Sequence, residues 1–185
     1  MRPTPEQLAA AQDTTIPDVL APDLRVLFCG INPGLYSGAT GHHFARPGNR
    51  FWPALHRSGF TERQLRPEEQ DQLPALGLGI TNVVARTSAK AEELSREELR
   101  EGGAVLAAKV ARLRPRALAV LGIGAYRTAF GQPRAVVGRQ PEGLGGTEVW
   151  VLPNPSGLNA HYTLDALAAE FRALREATAV PGQPA

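Results

Sequence analysis

Apolar residues gather in short runs separated by longer segments of helical period. Arg25–Cys29 (RVLFC), Ile80–Val84, Ala117–Leu121 and Glu148–Leu152 (EVWVL) each read as a buried strand. Between them lie amphipathic stretches. Arg50–Gly59 places Phe51, Trp52 and Leu55 on one helix face. Ser95 and Glu98 form a capping box, with Leu94 and Leu99 at staple positions, and predict a helix running to Arg114, where Pro115 stops it. Gly124–Phe130 reads as a short helix. Thr163–Ala177 carries the stripe Leu164, Leu167, Phe171 and Leu174, and residues 4–11 read as a short leading helix. Strands alternating with helices predict an α/β fold, a three-layer sandwich with a mainly parallel four-stranded central sheet. Its ligand site is expected beyond the carboxyl ends of the strands.

The 185 residues suit a single domain, with 1–20 as a leading segment and 179–185 as a frayed tail. Hydrophobic residues at 43% and charged residues at 21% argue against wholesale disorder. A single cysteine, Cys29, excludes an internal disulfide, a CxxC zinc site and a four-cysteine iron–sulfur cluster from this chain alone. No apolar run approaches the roughly 18 residues of a membrane span, and the first residues lack a signal-peptide core. The expectation is a soluble cytoplasmic protein with no membrane partner. Net charge is +2, and 18 of the 20 basic residues are arginine. Arginine suits phosphate contact, yet a GC-rich genome inflates it as well, so charge permits a nucleic-acid partner without demanding one.

Several motifs lose to plainer readings. Leu121–Arg127 (LGIGAYR) follows a strand and opens a helix, but Arg127 stands at the third glycine position of a dinucleotide fingerprint, which therefore fails. His42 and His43 are adjacent in a loop, and His56 and His161 lack a carboxylate at metal-ligand spacing. No metal site is expected, and the loop histidines are expected to touch ligand or solvent. No G-x-S-x-G elbow occurs, and Cys29 inside an apolar strand reads as packing. The stretch from Gly30 to Arg50, GINPGLYSGATGHHFARPGNR, is a loop of about 20 residues without a period, a length that is usually functional. Within it Pro33 biases Asn32 towards extended backbone, so its carboxamide is either a water-orienting group or the anchor of an Asx-turn.

Phe28–Leu35 (FCGINPGL), then Gly41, Phe44, Ala45, Pro47 and Asn49–Trp52 (NRFW), and later Val151–Leu158 (VLPNPSGL), together resemble the mismatch-specific uracil-DNA glycosylases, bacterial relatives of the thymine-DNA glycosylases. The resemblance runs from about Arg25 to Leu174 and includes GITNVVART and the LGIGAY turn. It implies a glycosylase-like sandwich and a monomer without cofactor or metal. The implied reaction is monofunctional hydrolysis of the N-glycosidic bond of uracil, and of related bases such as ethenocytosine, in double-stranded DNA carrying G·U or similar mismatches. The target nucleotide would be flipped out of the stack.

By resemblance, Asn32 orients the attacking water, backbone N–H groups around Ile31 and Gly34 stabilise the leaving base, Phe44 stacks on the flipped pyrimidine, and Ser37 lies near its C5. Asn154, Gly157, Leu158 and Asn159 belong to a wedge entering the duplex, with Leu158 filling the vacated stack. Phe44 and Leu158 each have a rival reading as core residues. Ala160 departs from the family, which has a supporting arginine there; Tyr36, His42 and His43 also depart, at the pocket rim. From the residues themselves, Glu93, with Glu92 as fallback, is a candidate to assist water activation; its plainer reading is a solvated acidic pair beside Lys90. Arg46, Arg50 and Arg86 are candidate phosphate contacts. A non-catalytic lesion-binding module and a small-molecule nucleoside or sugar-phosphate enzyme remain as alternatives.

Overall fold

The computed structural model describes residues 1–181, so the last four residues of the expected frayed tail, 182–185, lie outside the described part. The strands are β1 (Val26–Gly30), β2 (Leu78–Asn82), β3 (Ala117–Leu121), β4 (Gly138–Arg139) and β5 (Glu148–Leu152). The helices are α1 (Pro5–Ala10), α2 (Leu35–Thr40), α3 (Phe51–Arg57), α4 (Arg96–Leu113), α5 (Ile123–Ala129) and α6 (Leu164–Ala177).

The strand order is β2-β1-β3-β5-β4, with only β4 antiparallel. The fold class is the α/β sandwich expected, but the sheet has five strands rather than four. The added strand, β4, is two residues at an edge, too short to leave a period in the sequence. The second strand lies two residues earlier than Ile80–Val84. Val83 and Val84 have left the strand, although their N–H groups still donate to the Gly30 and Ile31 carbonyls at 2.9 and 3.0 Å.

Successive side chains of a strand point to opposite faces, and the core divides accordingly. Val26 and Phe28 of β1, with Ala117, Ala119 and Leu121 of β3, face one layer with Phe51, Leu55 and Phe171 from α3 and α6. Phe28 packs edge-on against Phe51 and Phe60 and stacks on Phe171. Leu27, Cys29, Leu118 and Val120 face the other layer with Leu106 and Val110 of α4 and Tyr126 of α5. Cys29 is fully buried there, and burial pushes its thiol up, away from thiolate reactivity.

Helix α4 begins as expected. Ser95 Oγ accepts from the Glu98 N–H at 3.0 Å, and Glu98 Oε2 accepts from the Ser95 N–H at 2.8 Å. The long stretch after β1 is not structureless: Leu35–Thr40 forms α2 inside it, closed by Gly41 at φ +77. Two isolated ladder contacts flank β2: Val19 pairs with Ile80 along the strand, and Gly34 pairs with Ser88 beyond its carboxyl end.

Glycine sets the approach of α4 to the sheet edge. A β-carbon on Gly102 would stand 2.2 Å from the Val83 carbonyl oxygen. Gly102→Ala should therefore cost about 1–3 kcal/mol, the usual range for overpacking. A lower urea midpoint at unchanged slope would show it; an unchanged midpoint would mean that α4 shifts freely.

Candidate functional site

All four parallel strands end at one edge, at Gly30, Asn82, Leu121 and Leu152. The strand order reverses between β1 and β3, since β2 lies to one side of β1 and β3 and β5 to the other, and this is the position where α/β sheets open a crevice. The loop after β1 and the loop after β2 stay joined beyond the sheet. Besides the Val83 and Val84 bonds, the Ser88 N–H donates to the Pro33 carbonyl at 3.2 Å. Asn32 lies between these points.

Its side chain is fixed. Asn32 Nδ2 donates to the Arg86 carbonyl at 2.9 Å and to Ser88 Oγ at 2.8 Å. A carbonyl only accepts, so the nitrogen must face it. The Ser88 hydroxyl spends its own proton on the Lys90 carbonyl at 2.8 Å, so it too acts as acceptor towards Asn32. The amide is therefore oriented on both counts. Its Oδ1 has no hydrogen-bond partner among the described residues and remains as an acceptor. Asn32 is half-buried and Ser88 is buried.

The loop that carries Arg86 is clamped in turn. The Arg86 guanidinium meets Glu98 at 2.5 Å, Asp13 at 3.0 Å and the Glu93 carbonyl at 3.2 Å. Hydrogen bonding to Arg86 holds the Glu98 carboxyl down at about 2. Thr87 is fully buried and donates to the Ala11 carbonyl, while its Oγ1 accepts from the Thr14 N–H at 2.9 Å. The leading segment thus helps hold the site. Arg86 is spent on these partners and does not stand free for phosphate, contrary to expectation; its side chain follows the carboxylates of α4 and the leading segment.

Glu93 lies in a 3₁₀ turn, Ala91–Glu93, and is exposed. Its Oε2 accepts from the Lys90 N–H at 2.7 Å. No hydrogen bond joins Glu93 to Asn32 directly; the connection runs through Lys90 and Ser88. The carboxylate closes its own turn instead of reaching towards Asn32. Glu92 is exposed in the same turn.

Phe44 occupies the left-handed region at φ +52. A bulky residue there is uncommon, and such strain, about 1–3 kcal/mol, gathers at functional positions. One ring face stacks on Phe51 at 4.2 Å between centroids. A β-carbon on Gly30 would stand 3.3 Å from the tip of that ring and 2.5 Å from Asn82 Oδ1. Gly30 is thus the floor over which Phe44 and Asn82 meet, and Asn82 is a site residue that sequence reading passed over, although it ends the apolar run of β2. Ser37, buried on α2, accepts from the Ala45 N–H at 3.3 Å and braces the same loop. Ile31 lies against Gly122 beyond β3, and Gly34 caps α2.

His43 does not face solvent or ligand as expected. It is 2% exposed, its Nε2 donates to the Pro17 carbonyl at 2.8 Å, and burial lowers its pKa, so it is neutral. Its Nδ1 is then the acceptor for Asn82 Nδ2 at 3.4 Å, which leaves Asn82 Oδ1 pointing over Gly30. A cleft of about 500 Å³ is lined by Phe44, Arg46, Asn49, Trp52, Leu65 and Arg66 among others. A smaller cavity of about 140 Å³ between Tyr126, Phe130 and Leu144 involves neither loop.

The loop after β5 is built on internal bonds. Asn154 Oδ1 accepts from the Ser156 N–H, and Asn159 Nδ2 donates to the Asn154 carbonyl, each at 3.0 Å. The side chains of Asn154 and Asn159 are therefore engaged in shaping the loop. Gly157 touches Gly48: a β-carbon on it would stand 2.6 Å from the Gly48 carbonyl oxygen. Leu158 is 78% exposed at the tip and is not a core residue.

A family model described as the uracil DNA glycosylase superfamily matches residues 17–178. The chain belongs to that superfamily. Among solved structures it is similar to a candidate uracil DNA glycosylase from Methanosarcina acetivorans, determined in solution by NMR. The TM-score is 0.59 at 21% identity, covering 88% of this chain and 98% of that one. At that identity the likeness speaks for the fold.

The Arg86–Glu98 clamp has a pH signature. A depressed carboxyl contributes stability that is present above its unfolded value, about 4.5, and is lost as pH falls towards about 2. The stability difference between the wild-type protein and Glu98→Gln should therefore shrink across that window. A difference that stays constant from pH 6 to 2, followed by denaturant unfolding at each pH, would show that Glu98 contributes nothing through its charge.

Proposed function

We propose that this member of the superfamily is a monofunctional, mismatch-directed DNA glycosylase of the kind its motifs resemble. It would hydrolyse the N-glycosidic bond of uracil, and of related pyrimidines such as ethenocytosine, in double-stranded DNA bearing G·U or similar mismatches. The observation that carries this reading is the Asn32 carboxamide, whose nitrogen is held by Arg86 and Ser88 so that its oxygen is left as an acceptor at the sheet edge.

The chemistry asks little more of a side chain at that point. The C1′–N1 bond breaks with its electron pair passing to the pyrimidine, and the sugar becomes oxocarbenium-like. A water held on Asn32 Oδ1 supplies the new C1′–O bond and gives its proton to the departing base or to solvent. Asn32 takes no proton near neutral pH, so its contribution is orientation. Backbone N–H groups around Ile31 and Gly34 are suited to the charge on the leaving base. Phe44, with one face already stacked on Phe51, offers its remaining surface to a flipped pyrimidine, worth about 1–3 kcal/mol for a base on an aromatic ring. Asn82 Oδ1, fixed by the neutral His43, is an acceptor placed near that ring. The stretch from Gly30 to Arg50 holds no lysine, so a Schiff base and strand cleavage are not part of the reading.

Reaching C1′ requires the nucleotide to leave the stack, at a cost of a few kcal/mol that falls at a mismatch. Leu158, exposed at the tip of a loop whose polar side chains are turned inward, is the wedge in this reading. Of the three arginines considered for phosphate contact, Arg46 stays exposed and keeps that role. Glu93 enters as a support for Lys90 and Ser88 and not as the acceptor of the water's proton.

Asn32→Ala should abolish most single-turnover uracil release from a G·U duplex while DNA binding persists; near-normal release would retire Asn32. A panel of G·U, A·U, G·T and single-stranded uracil separates a mismatch enzyme from a lesion-binding module, which releases nothing. Glu93→Gln, which keeps the acceptor for Lys90, should change the rate by less than about threefold; a fall of tenfold, about 1.4 kcal/mol of barrier, would restore Glu93 as a proton acceptor. Leu158→Ala should slow release from the duplex and recover on unpaired uracil; a large drop in melting temperature would contradict its exposed position.

A further inference from the structure

We infer that Arg50 is the positioning residue of the DNA-entering loop, a rivet that joins that loop to the base-stacking loop and holds it in its inserting shape before DNA arrives. The inference rests on the reading of the second loop as the wedge. It gives Arg50 a different role from the phosphate contact for which its residue type makes it a candidate.

The guanidinium points into the protein. Its Nη1 donates to the Tyr162 carbonyl, and its Nη2 donates to the carbonyls of Ser156 at 2.7 Å and Asn159 at 3.0 Å. The backbone N–H of the same residue donates to the Pro155 carbonyl at 2.9 Å. One residue therefore binds four carbonyls of the second loop, at 155, 156, 159 and 162, on both sides of the exposed Leu158. These bonds define the base of the loop and leave its tip outside. The Gly48–Gly157 contact lies on the same seam, two residues before Arg50.

Arg50 forms no ion pair with a carboxylate among the described residues, and its Nε is buried without an acceptor. Arg50 is half-buried as a residue, and a donor atom buried without an acceptor is costly for a side chain that only stabilises a fold. An arginine held by carbonyls alone has its value in the geometry it imposes on them. That geometry matters most to an element that must enter a base stack, since a loop ordered beforehand loses less entropy on insertion. Arg50 also precedes Phe51, on which Phe44 stacks, so the same residue sets the spacing between the stacking ring and the wedge.

The test compares wild type, Arg50→Lys and Arg50→Met in hydrogen–deuterium exchange of the free protein and in single-turnover uracil release. Residues 156–162 should exchange faster in Arg50→Met, while the sheet keeps its protection. Release from a G·U duplex should fall by about tenfold or more, and release from a duplex with an unpaired uracil, where flipping is cheaper, by less than about threefold. Arg50→Lys, with one ammonium in place of the fork, should fall between the two and guards against a variant that does not fold. Unchanged exchange at 156–162 overturns the inference whatever the rates. Equal losses on both substrates with faster exchange throughout α3 and α6 overturn it in favour of general stability. A salt dependence of DNA binding shallower by about one phosphate contact, with unchanged loop exchange, overturns it in favour of direct phosphate binding. If wild type releases no uracil from any substrate, the glycosylase reading fails, and the exchange arm still decides what Arg50 does for the loop.

Discussion

The setting of Asn32 at the sheet edge depends on hydrogen bonds that continue after the strands have ended. Gly30, Ile31 and Pro33 keep accepting from Val83, Val84 and Ser88, so two loops that would otherwise be independent share one backbone ladder. A short polar side chain between them, Asn32, then meets fixed acceptors instead of water. The orientation of a single carboxamide follows from this ladder, from the Arg86 carbonyl it presents and from the hydroxyl of a buried serine.

Two arginines at the site, Arg86 and Arg50, show how one residue type serves two mechanical tasks. Arg86 is anchored by carboxylates and fixes a loop by its side chain while its carbonyl orients Asn32. Arg50 is anchored by carbonyls and fixes a different loop. Neither task needs phosphate, and both use the planar fork that lysine lacks. The arginine-rich composition therefore overstates the charge available to a polyanion.

Much of the frame was legible in the sequence because burial leaves a period. β3 and β5 stand at the predicted residues, and the Ser95–Glu98 capping box opens α4 as its spacing required. Both loop motifs follow strands of one parallel sheet, which is why they share an edge. Other features were hidden for physical reasons. α2 is six residues long and carries Gly38 within it and Gly41 at its end, so its sequence reads as loop. Val83 and Val84 look like strand because they are apolar, but they belong to the ladder beyond it. Side-chain direction was the main loss. Nothing in the order of residues tells that Arg50 turns inward, that His43 is sealed under Pro17, or that Glu93 closes its own turn, because each depends on partners distant in the chain.

The sheet is open, and open sheets carry a hazard at both sides. An unpaired strand edge is a template on which another chain can add. Here β4, at one side, is two residues long and bears Arg139, paired with Glu148 at 2.9 Å. At the other side, the contact between Val19 and Ile80 lays the leading segment across β2. Neither border offers a long row of free amides for a second copy to pair with. Losing the leading segment would therefore do more than loosen the site: it would uncover β2, and self-association would be its first symptom.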